Sequence, residues 1–213
     1  FHNKGGWKSR ECMDYFLEYA DIVSSEFGDI VKHWITHNEP WVISNLGYKE
    51  GTHAPGEMDI YKSLEVNHHL LMSHGNAVPI IKGNSNKSKV GIVLNLTPGM
   101  PASSSDEDKH ETLLFNQFFN EWFLKPLYGD KYPEEVTHDW ISKGHFDELK
   151  FLRDGDYEVI STPTDFLGIN YYSRAIIRSE KIEERANSPD EVISGEKTDF
   201  DWKVYPEGLK NIL

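Results

Sequence analysis

Residues 34–41, Trp34-Ile35-Thr36-His37-Asn38-Glu39-Pro40-Trp41, carry the strongest structural signal in the sequence. We predict a short β-strand from about His33 to Asn38. Pro40 does not fit a helix interior, so the chain should leave the strand in a loop. The pattern therefore places two polar residues, Asn38 and Glu39, together where a strand ends.

Helical patterns flank this strand on both sides. The N-terminal helix should have Ser9 as its cap and Gly28 as its stop. Its apolar face recurs at three- and four-residue spacing and consists of Cys12, Phe16, Ala20, Val23 and Phe27. We expect a second helix to open at Ser63 and to be broken near Pro79 and Gly83.

The alternation of helix and strand continues along the chain. Residues 90–94 are apolar on both faces, which is typical of a buried parallel strand. Residues 107–124 form a helical pattern with a wide apolar face, which indicates deep packing on a sheet. We predict more helix over 134–152 and a third strand over 165–172.

The remaining segments are a long charged loop, predicted over 178–200, and a final helix that begins at Pro206.

The resulting order α-β-α-β-α-β-α indicates an α/β fold with a parallel sheet, in one domain over residues 1–213. A doubly wound sheet and a (β/α)₈ barrel both fit this order. The first needs a glycine-rich phosphate loop, which the sequence lacks. The second needs eight strands, and three are predicted.

Composition and charge exclude several classes of partner. The formal charge of −13 disfavours nucleic acid and anionic membranes as ligands. No stretch is apolar enough to span a membrane, and no signal peptide opens the chain. The single cysteine, Cys12, needs no oxidising compartment, so we expect a cytoplasmic protein. The start at Phe1, without Met, suggests that an upstream segment is missing.

The pair Asn38-Glu39 suits one type of chemistry. In a barrel, the carboxyl ends of the strands carry the active-site groups. A carboxylic acid there can protonate a glycosidic oxygen and later deprotonate water, while the amide binds a sugar hydroxyl. The alternative is that Asn-Glu-Pro merely ends a strand, because a tripeptide alone is weak support.

A series of motifs extends the argument over nearly the whole chain. In order, they are residues 27–32, 34–41, 47–48, 51–56, 68–74, 122–126 and 165–172. Together they resemble the family 1 glycoside hydrolases, the β-glucosidase family. The resemblance implies a (β/α)₈ TIM barrel with a retaining mechanism. This chain would supply about strands four to six and the flanking helices.

The resemblance also implies residue roles. Glu39 would be the general acid/base, and Asn38 would hold the sugar 2-OH. Asn170 and Tyr172 would lie at the end of strand six and bind substrate, with the Tyr172 phenol donating to the nucleophile carboxylate. The substrate would be a β-glucoside or an oligosaccharide. Neither a cofactor nor a metal is expected, since His68, His69 and His74 do not share a helix face.

Two departures from the family pattern matter. His37 stands where the family commonly has an apolar residue, and a cation there would lower the pKa of Glu39. We expect His37 to point away and to be neutral. The family's Thr-Glu-Asn-Gly nucleophile motif is also missing from the sequence, so the nucleophile should lie outside this chain.

Three interpretations of the function of this chain therefore stay open. The first is a β-glucosidase completed by a complementary polypeptide segment. The second is an inactive truncated chain with at most a sugar-binding or interaction role. The third is a 6-phospho-β-glycosidase, against which the charge of −13 argues mildly.

Overall fold

The computed structural model describes residues 2–182 and 196–212. The α-helices are α1 (Glu11–Phe27), α2 (Ile60–Asn84), α3 (Asp106–Asn116), α4 (Trp122–Leu127), α5 (Glu134–Ser142), α6 (Asp156–Ile160) and α7 (Glu207–Ile212). The strands are β1 (His33–Asn38), β2 (Lys89–Asn95), β3 (Gly99–Pro101), β4 (Phe166–Asn170) and β5 (Ala175–Ile177). Short 3₁₀ turns cover His2–Lys4 and Gly6–Lys8, and π-helical turns cover Val42–Lys49 and Gln117–Glu121.

The main sheet has three parallel strands in the order β1-β2-β4. Between one strand of this sheet and the next, the chain passes through helices, as in a barrel. Asn95 on β2 stands level with Asn170 on β4, and Asn38 on β1 stands level with Val93. The carboxyl ends of all three strands therefore meet at one rim of the sheet.

One face of this sheet is covered by helices. Ile92 and Leu94 of β2 are buried in the main core, where Leu167 and Ile169 of β4 pack against them. Helix α2 runs through this layer and packs on both α1 and α6. At Gly75 a Cβ atom would lie 1.9 Å from the Val159 carbonyl oxygen, so the α2–α6 packing requires glycine there.

Both edges of the main sheet lack a partner strand in the part of the chain that the structure describes, because β1 and β4 each pair only with β2. Ile35 on β1 is 53% exposed. Unpaired edges of this kind are what a portion of a barrel presents. In residues 2–182 and 196–212, no helix combines the length and apolar character that a membrane span requires.

Several predicted elements are confirmed. Strand β1 has the predicted bounds, β2 and β4 contain the cores of the other two predicted strands, and a final helix follows Pro206. The small parallel sheet of β3 and β5 was not predicted, because three-residue strands give no usable periodicity. Residues 183–195 of the predicted loop lie outside the described residues.

Other boundaries were predicted wrongly. Ser9 does not cap α1 with its side chain, and α1 starts after Arg10. Helix α2 begins earlier, where the Asp59 carboxylate accepts from the Lys62 N–H, and it continues past Pro79 to Asn84. Packing on α1 outweighs the roughly 3 kcal/mol that a proline costs inside a helix.

The predicted helices of the second half are also divided differently. The 107–124 helix is interrupted by a π-helical turn over Gln117–Glu121 and ends at Leu127. The helix predicted over 134–152 ends at Ser142, followed by turns and then by α6. Gly144 adopts a positive φ of 74° two residues after that end, which explains the early stop.

Candidate active site

Glu39 lies directly beyond the carboxyl end of β1, next to the other strand ends. A bulge between Ile35 and Asn38 shifts the register of β1 just before it. The Glu39 N–H then donates to the Val93 carbonyl at 2.9 Å, which ties the residue to β2. Its φ of 50° lies in the left-handed region, which is uncommon for a residue other than glycine. Such backbone conformations concentrate at functional sites.

The four predicted site residues come together at this rim. The Asn170 side-chain amide donates to Glu39 Oε1 at 2.7 Å and to Asn38 Oδ1 at 3.0 Å. The Tyr172 hydroxyl also donates to Glu39 Oε1, at 3.0 Å. The hydrogen bond to Glu39, together with desolvation and the negative charge, raises the pKa of Tyr172. Strand ends separated by about 130 residues thus converge on one carboxylate.

These hydrogen bonds use only one of the two carboxylate oxygens. Both donors end on Oε1, so Oε2 has no protein donor among the described residues. Glu39 is half-buried and Asn38 is exposed, so the site opens to the rim. In the described part of the chain, Glu39 carries the only carboxylate bonded to Asn38, Asn170 or Tyr172. The phenol that was expected to donate to a separate nucleophile donates here to Glu39.

His37 points away from Glu39, into the helix layer. Its Nε2 donates to Ser73 Oγ at 2.8 Å, while the Ser73 hydroxyl itself donates to the Leu70 carbonyl. The imidazole stacks on Phe16, with ring centroids 4.5 Å apart. Burial, and secondarily His74, lower the pKa of His37 to about 3. The prediction that His37 is neutral and faces away is confirmed.

Three further histidines, all on α2, are also structural. His68 is fully buried and hydrogen-bonds to Asp156 and Tyr132, whereas His69 bonds to the Trp7 carbonyl and His74 to Thr36. Burial lowers the pKa of both His68 and His74 to about 4. Over residues 2–182 and 196–212, no three His, Cys, Asp or Glu side chains come together as metal ligands would.

Aromatic residues surround the rim on one side. The Tyr172 ring meets Trp202 edge-on at 5.1 Å, and Trp202 lies 5.7 Å from Phe200. A cavity of about 490 Å³ opens beside Tyr172 and Trp202. By contrast, Trp122 is completely buried in the core. Sequence reasoning gave Trp202 no role, because nothing in its surroundings indicates that it reaches the rim.

A parallel α/β layer with a carboxylate and two amides at its strand ends fits one portion of a (β/α)₈ barrel. The chain belongs to glycosyl hydrolase family 1, whose family model matches residues 1–213. The resemblance and the barrel fold expected from the sequence are therefore confirmed. The assignment of the strands as numbers four to six stays a prediction.

Individual relatives agree with this family. The chain is 43% identical over 213 residues to "Beta-glucosidase A" of Acetivibrio thermocellus, covering 99% of this chain and 47% of that protein. It is 34% identical to the "6-phospho-beta-galactosidase" of Clostridium acetobutylicum, with coverage of 98% and 49%. The β-glucosidase structure from Exiguobacterium marinum superposes with a TM-score of 0.88 at 37% identity, covering 99% and 48%. The chain thus spans about half the length of the relatives it matches.

Proposed function

We propose that residues 1–213 are part of the catalytic domain of a retaining β-glycosidase that hydrolyses terminal β-D-glucosides or related β-glycosides. In this proposal Glu39 is the general acid/base. The observation that carries it is the convergence of Asn170 and Tyr172 on one carboxylate oxygen of Glu39, at the carboxyl rim of a parallel sheet. Barrel enzymes hold their catalytic groups at this rim.

The two oxygens of the Glu39 carboxylate have different hydrogen-bond partners, which suits a group that first donates a proton and then accepts one. Donors on Oε1 favour the proton on Oε2, the oxygen that has no protein donor among the described residues. Protonated Oε2 would deliver its proton to the departing glycosidic oxygen, so that the alcohol leaves neutral. The resulting carboxylate would then take a proton from the water that attacks the glycosyl intermediate.

Asn38 and Asn170 would bind the sugar in this proposal. Asn170 joins Asn38 to Glu39 through its two hydrogen bonds, so one amide fixes both neighbours. Asn38 is exposed and its side-chain amide nitrogen is available for a sugar hydroxyl. A bond to the 2-OH strengthens as positive charge develops at the anomeric carbon.

The nucleophile would come from outside residues 1–213. Retaining hydrolysis needs two carboxyl groups about 5–5.5 Å apart. The proposal therefore includes a complementary polypeptide segment that pairs with the open edges of β1 and β4 and brings the second carboxylate. We also propose a cytoplasmic location, since the one cysteine of residues 1–213 needs no oxidising compartment.

A second candidate is a 6-phospho-β-glycosidase of the same family. The similarity to the Clostridium acetobutylicum "6-phospho-beta-galactosidase" favours it. The same Glu39 chemistry would apply to both candidates, and only the group that binds the 6-position would differ. A third candidate is a chain without hydrolytic activity, which is favoured because the described residues bring no second carboxylate to Asn38, Asn170 or Tyr172.

Hydrolysis of a nitrophenyl β-D-glucoside, and in parallel of its 6-phosphate, by residues 1–213 together with the complementary segment tests these candidates. The expected result is turnover that falls at least about 100-fold in Glu39→Gln, the typical loss for a general acid/base. Glu158→Gln is the matched control, because Glu158 is an exposed carboxylate on α6 in the helix layer. It should retain full activity.

The outcomes separate the candidates. Turnover of the 6-phosphate alone would favour the phosphoglycosidase. Equal turnover by wild type and Glu39→Gln would contradict the role of Glu39. Absence of turnover in every variant would favour the inactive chain.

A further inference from the structure

We propose that a pocket in the helix layer binds hydrogen phosphate, an oxyanion that carries a proton. The pocket has a volume of about 220 Å³. Three segments form it, namely residues 8–10 before α1, one face of α2, and residues 150–153 before α6. None of its lining residues lies on a strand, so the pocket is separate from the candidate active site. The proposal therefore does not depend on the proposed hydrolysis.

Four cationic side chains line this small pocket, although the chain as a whole carries a formal charge of −13. Two of the four are paired within the protein. The Lys8 ammonium contacts the Glu57 carboxylate at 2.6 Å, and the Arg10 guanidinium makes its forked hydrogen bond to Asp156. These pairs fix two walls of the pocket and leave the other two cations available to a ligand.

The two available cations are Lys150 and Arg153, both exposed. The Arg153 N–H is fixed on the Asp156 carboxylate at 2.8 Å, but its guanidinium has no hydrogen bond or ion pair among the described residues. The Lys150 ammonium lies 3.9 Å from Glu148, and these side chains are 70% and 71% exposed. Exposed pairs of this kind contribute little. Two weakly compensated cations, three residues apart, thus border one pocket.

A neutral donor completes this side of the pocket. The Tyr61 hydroxyl oxygen accepts from the Lys150 N–H at 3.0 Å, so the phenol can donate its own hydrogen to a ligand. Donors are then available from α2 as well as from residues 150–153. A tetrahedral oxyanion can accept from several directions, whereas a carboxylate accepts mainly near its own plane. The arrangement therefore suits a phosphate or sulfate group.

The pocket also contains hydrogen-bond acceptors, which decide between these two anions. Glu65 is half-buried on α2, and its carboxylate has no hydrogen bond or ion pair in the part of the chain that the structure describes. Burial raises the pKa of Glu65, which makes it a stronger acceptor. His69 donates from Nδ1 to the Trp7 carbonyl at 2.8 Å, so its Nε2 is an acceptor too.

An acceptor beside the cations favours an anion that brings a hydrogen. Sulfate has no hydrogen at neutral pH, so the Glu65 carboxylate would only repel it. Hydrogen phosphate can donate its hydroxyl group to Glu65 while its other oxygens accept from Arg153 and Lys150. Unpaired like charges are a common device for rejecting the wrong ligand. Glu65 is therefore the reason to assign phosphate instead of sulfate.

The test is a titration of the chain with inorganic phosphate, and in parallel with sulfate at equal ionic strength, at neutral pH. Backbone ¹H–¹⁵N NMR signals of residues 150–153 report binding. Phosphate should shift them saturably, and sulfate should bind more weakly. Arg153→Gln should weaken phosphate binding at least about tenfold, because a charge-assisted hydrogen bond is lost. Lys131→Gln is the matched control, since Lys131 is an exposed cation outside the pocket, and should bind phosphate as the wild type does.

Glu65→Gln separates recognition of phosphate from simple attraction of anions. Without the negative charge, sulfate should bind more tightly, and the preference for phosphate over sulfate should fall about tenfold. An unchanged preference would overturn the assignment of phosphate. Absence of a saturable shift with phosphate, or equal affinity in Arg153→Gln and the wild type, would overturn the site itself. If Arg153→Gln does not fold, Lys150→Gln must weaken phosphate binding in the same direction.

A phosphate monoester distinguishes free phosphate from a phosphorylated metabolite. Glycerol phosphate loses its last phosphate hydrogen with a pKa of about 6, so at neutral pH it has mostly no hydrogen to give Glu65. It should therefore bind less tightly than inorganic phosphate to the wild type, and the difference should shrink in Glu65→Gln. Tighter binding of the monoester by the wild type would overturn the assignment of hydrogen phosphate.

Discussion

Polar side chains differ between the helix layer and the rim of the sheet in how completely they are buried and hydrogen-bonded. In the layer, His68 is fully buried and satisfied, with Asp156 on one ring nitrogen and Tyr132 on the other. At the rim, Tyr172 is half-exposed and Glu39 Oε2 has no protein donor among the described residues. Both ring nitrogens of His68 are thus bonded within the protein, whereas the Glu39 carboxylate at the rim keeps one oxygen for a ligand. Stability should therefore respond to changes in the layer and catalysis to changes at the rim.

Asp156 offers the largest expected effect on stability. Its carboxylate receives a forked hydrogen bond from Arg10 and one bond from His68. Asp156→Asn should lower the free energy of unfolding by about 3 kcal/mol, the lower end for breaking a buried pair because Arg10 is 20% exposed. Urea unfolding measures this. The control is Asp139→Asn, which breaks the surface pair with Lys143 and should cost at most about 0.5 kcal/mol.

Two glycines on one helix give the next comparison. Gly75→Ala forces a methyl group against the Val159 carbonyl oxygen, and overpacking of this kind should cost about 1–3 kcal/mol. Gly83→Ala meets no atom within 4 Å and should stabilise the helix by up to about 1 kcal/mol. The same urea experiment measures both variants. Equal effects would contradict the packing described for α2 and α6.

Acid should unfold the layer through its histidines. Burial depresses the pKa of His37 to about 3 and that of His74 to about 4, from the ordinary 6.5. The unfolded chain therefore binds more protons, so stability is full above about pH 6.5 and is lost progressively toward pH 3. His37→Leu should flatten this loss in thermal unfolding scans between pH 7 and pH 4. A slope equal to that of wild type would mean that His37 does not contribute to it.

The smallest effect on stability is expected at the rim. Tyr172→Phe removes one hydroxyl that is half-exposed, so the free energy of unfolding should change by less than about 0.5 kcal/mol. Any turnover of a nitrophenyl β-D-glucoside should nevertheless fall, because Oε1 of Glu39 loses a donor. A large loss of stability in this variant would contradict the division between layer and rim.

The sequence predicted the rim better than the layer. Residues 34–41 and 165–172 carry local motifs, so the resemblance named four residues that the structure brings together at the strand ends, while their roles stay a prediction. The continuity of α2 through Pro79 depends on packing against α1, which no local pattern encodes. Trp202 reaches Tyr172 only because residues 203–205 are anchored to residues about 30 positions earlier in the chain. Long-range contacts of this kind leave no periodic signal.

The proposal that Glu39 donates the proton to the leaving group is best tested by the dependence of the rate on the leaving group. An acid matters most when the leaving alcohol is poor, since a good leaving group departs without a proton. We predict that Glu39→Gln lowers kcat/KM far more for an alkyl β-D-glucoside than for the 2,4-dinitrophenyl β-D-glucoside. Losses of the same size for both substrates would contradict the assignment of Glu39 as the general acid.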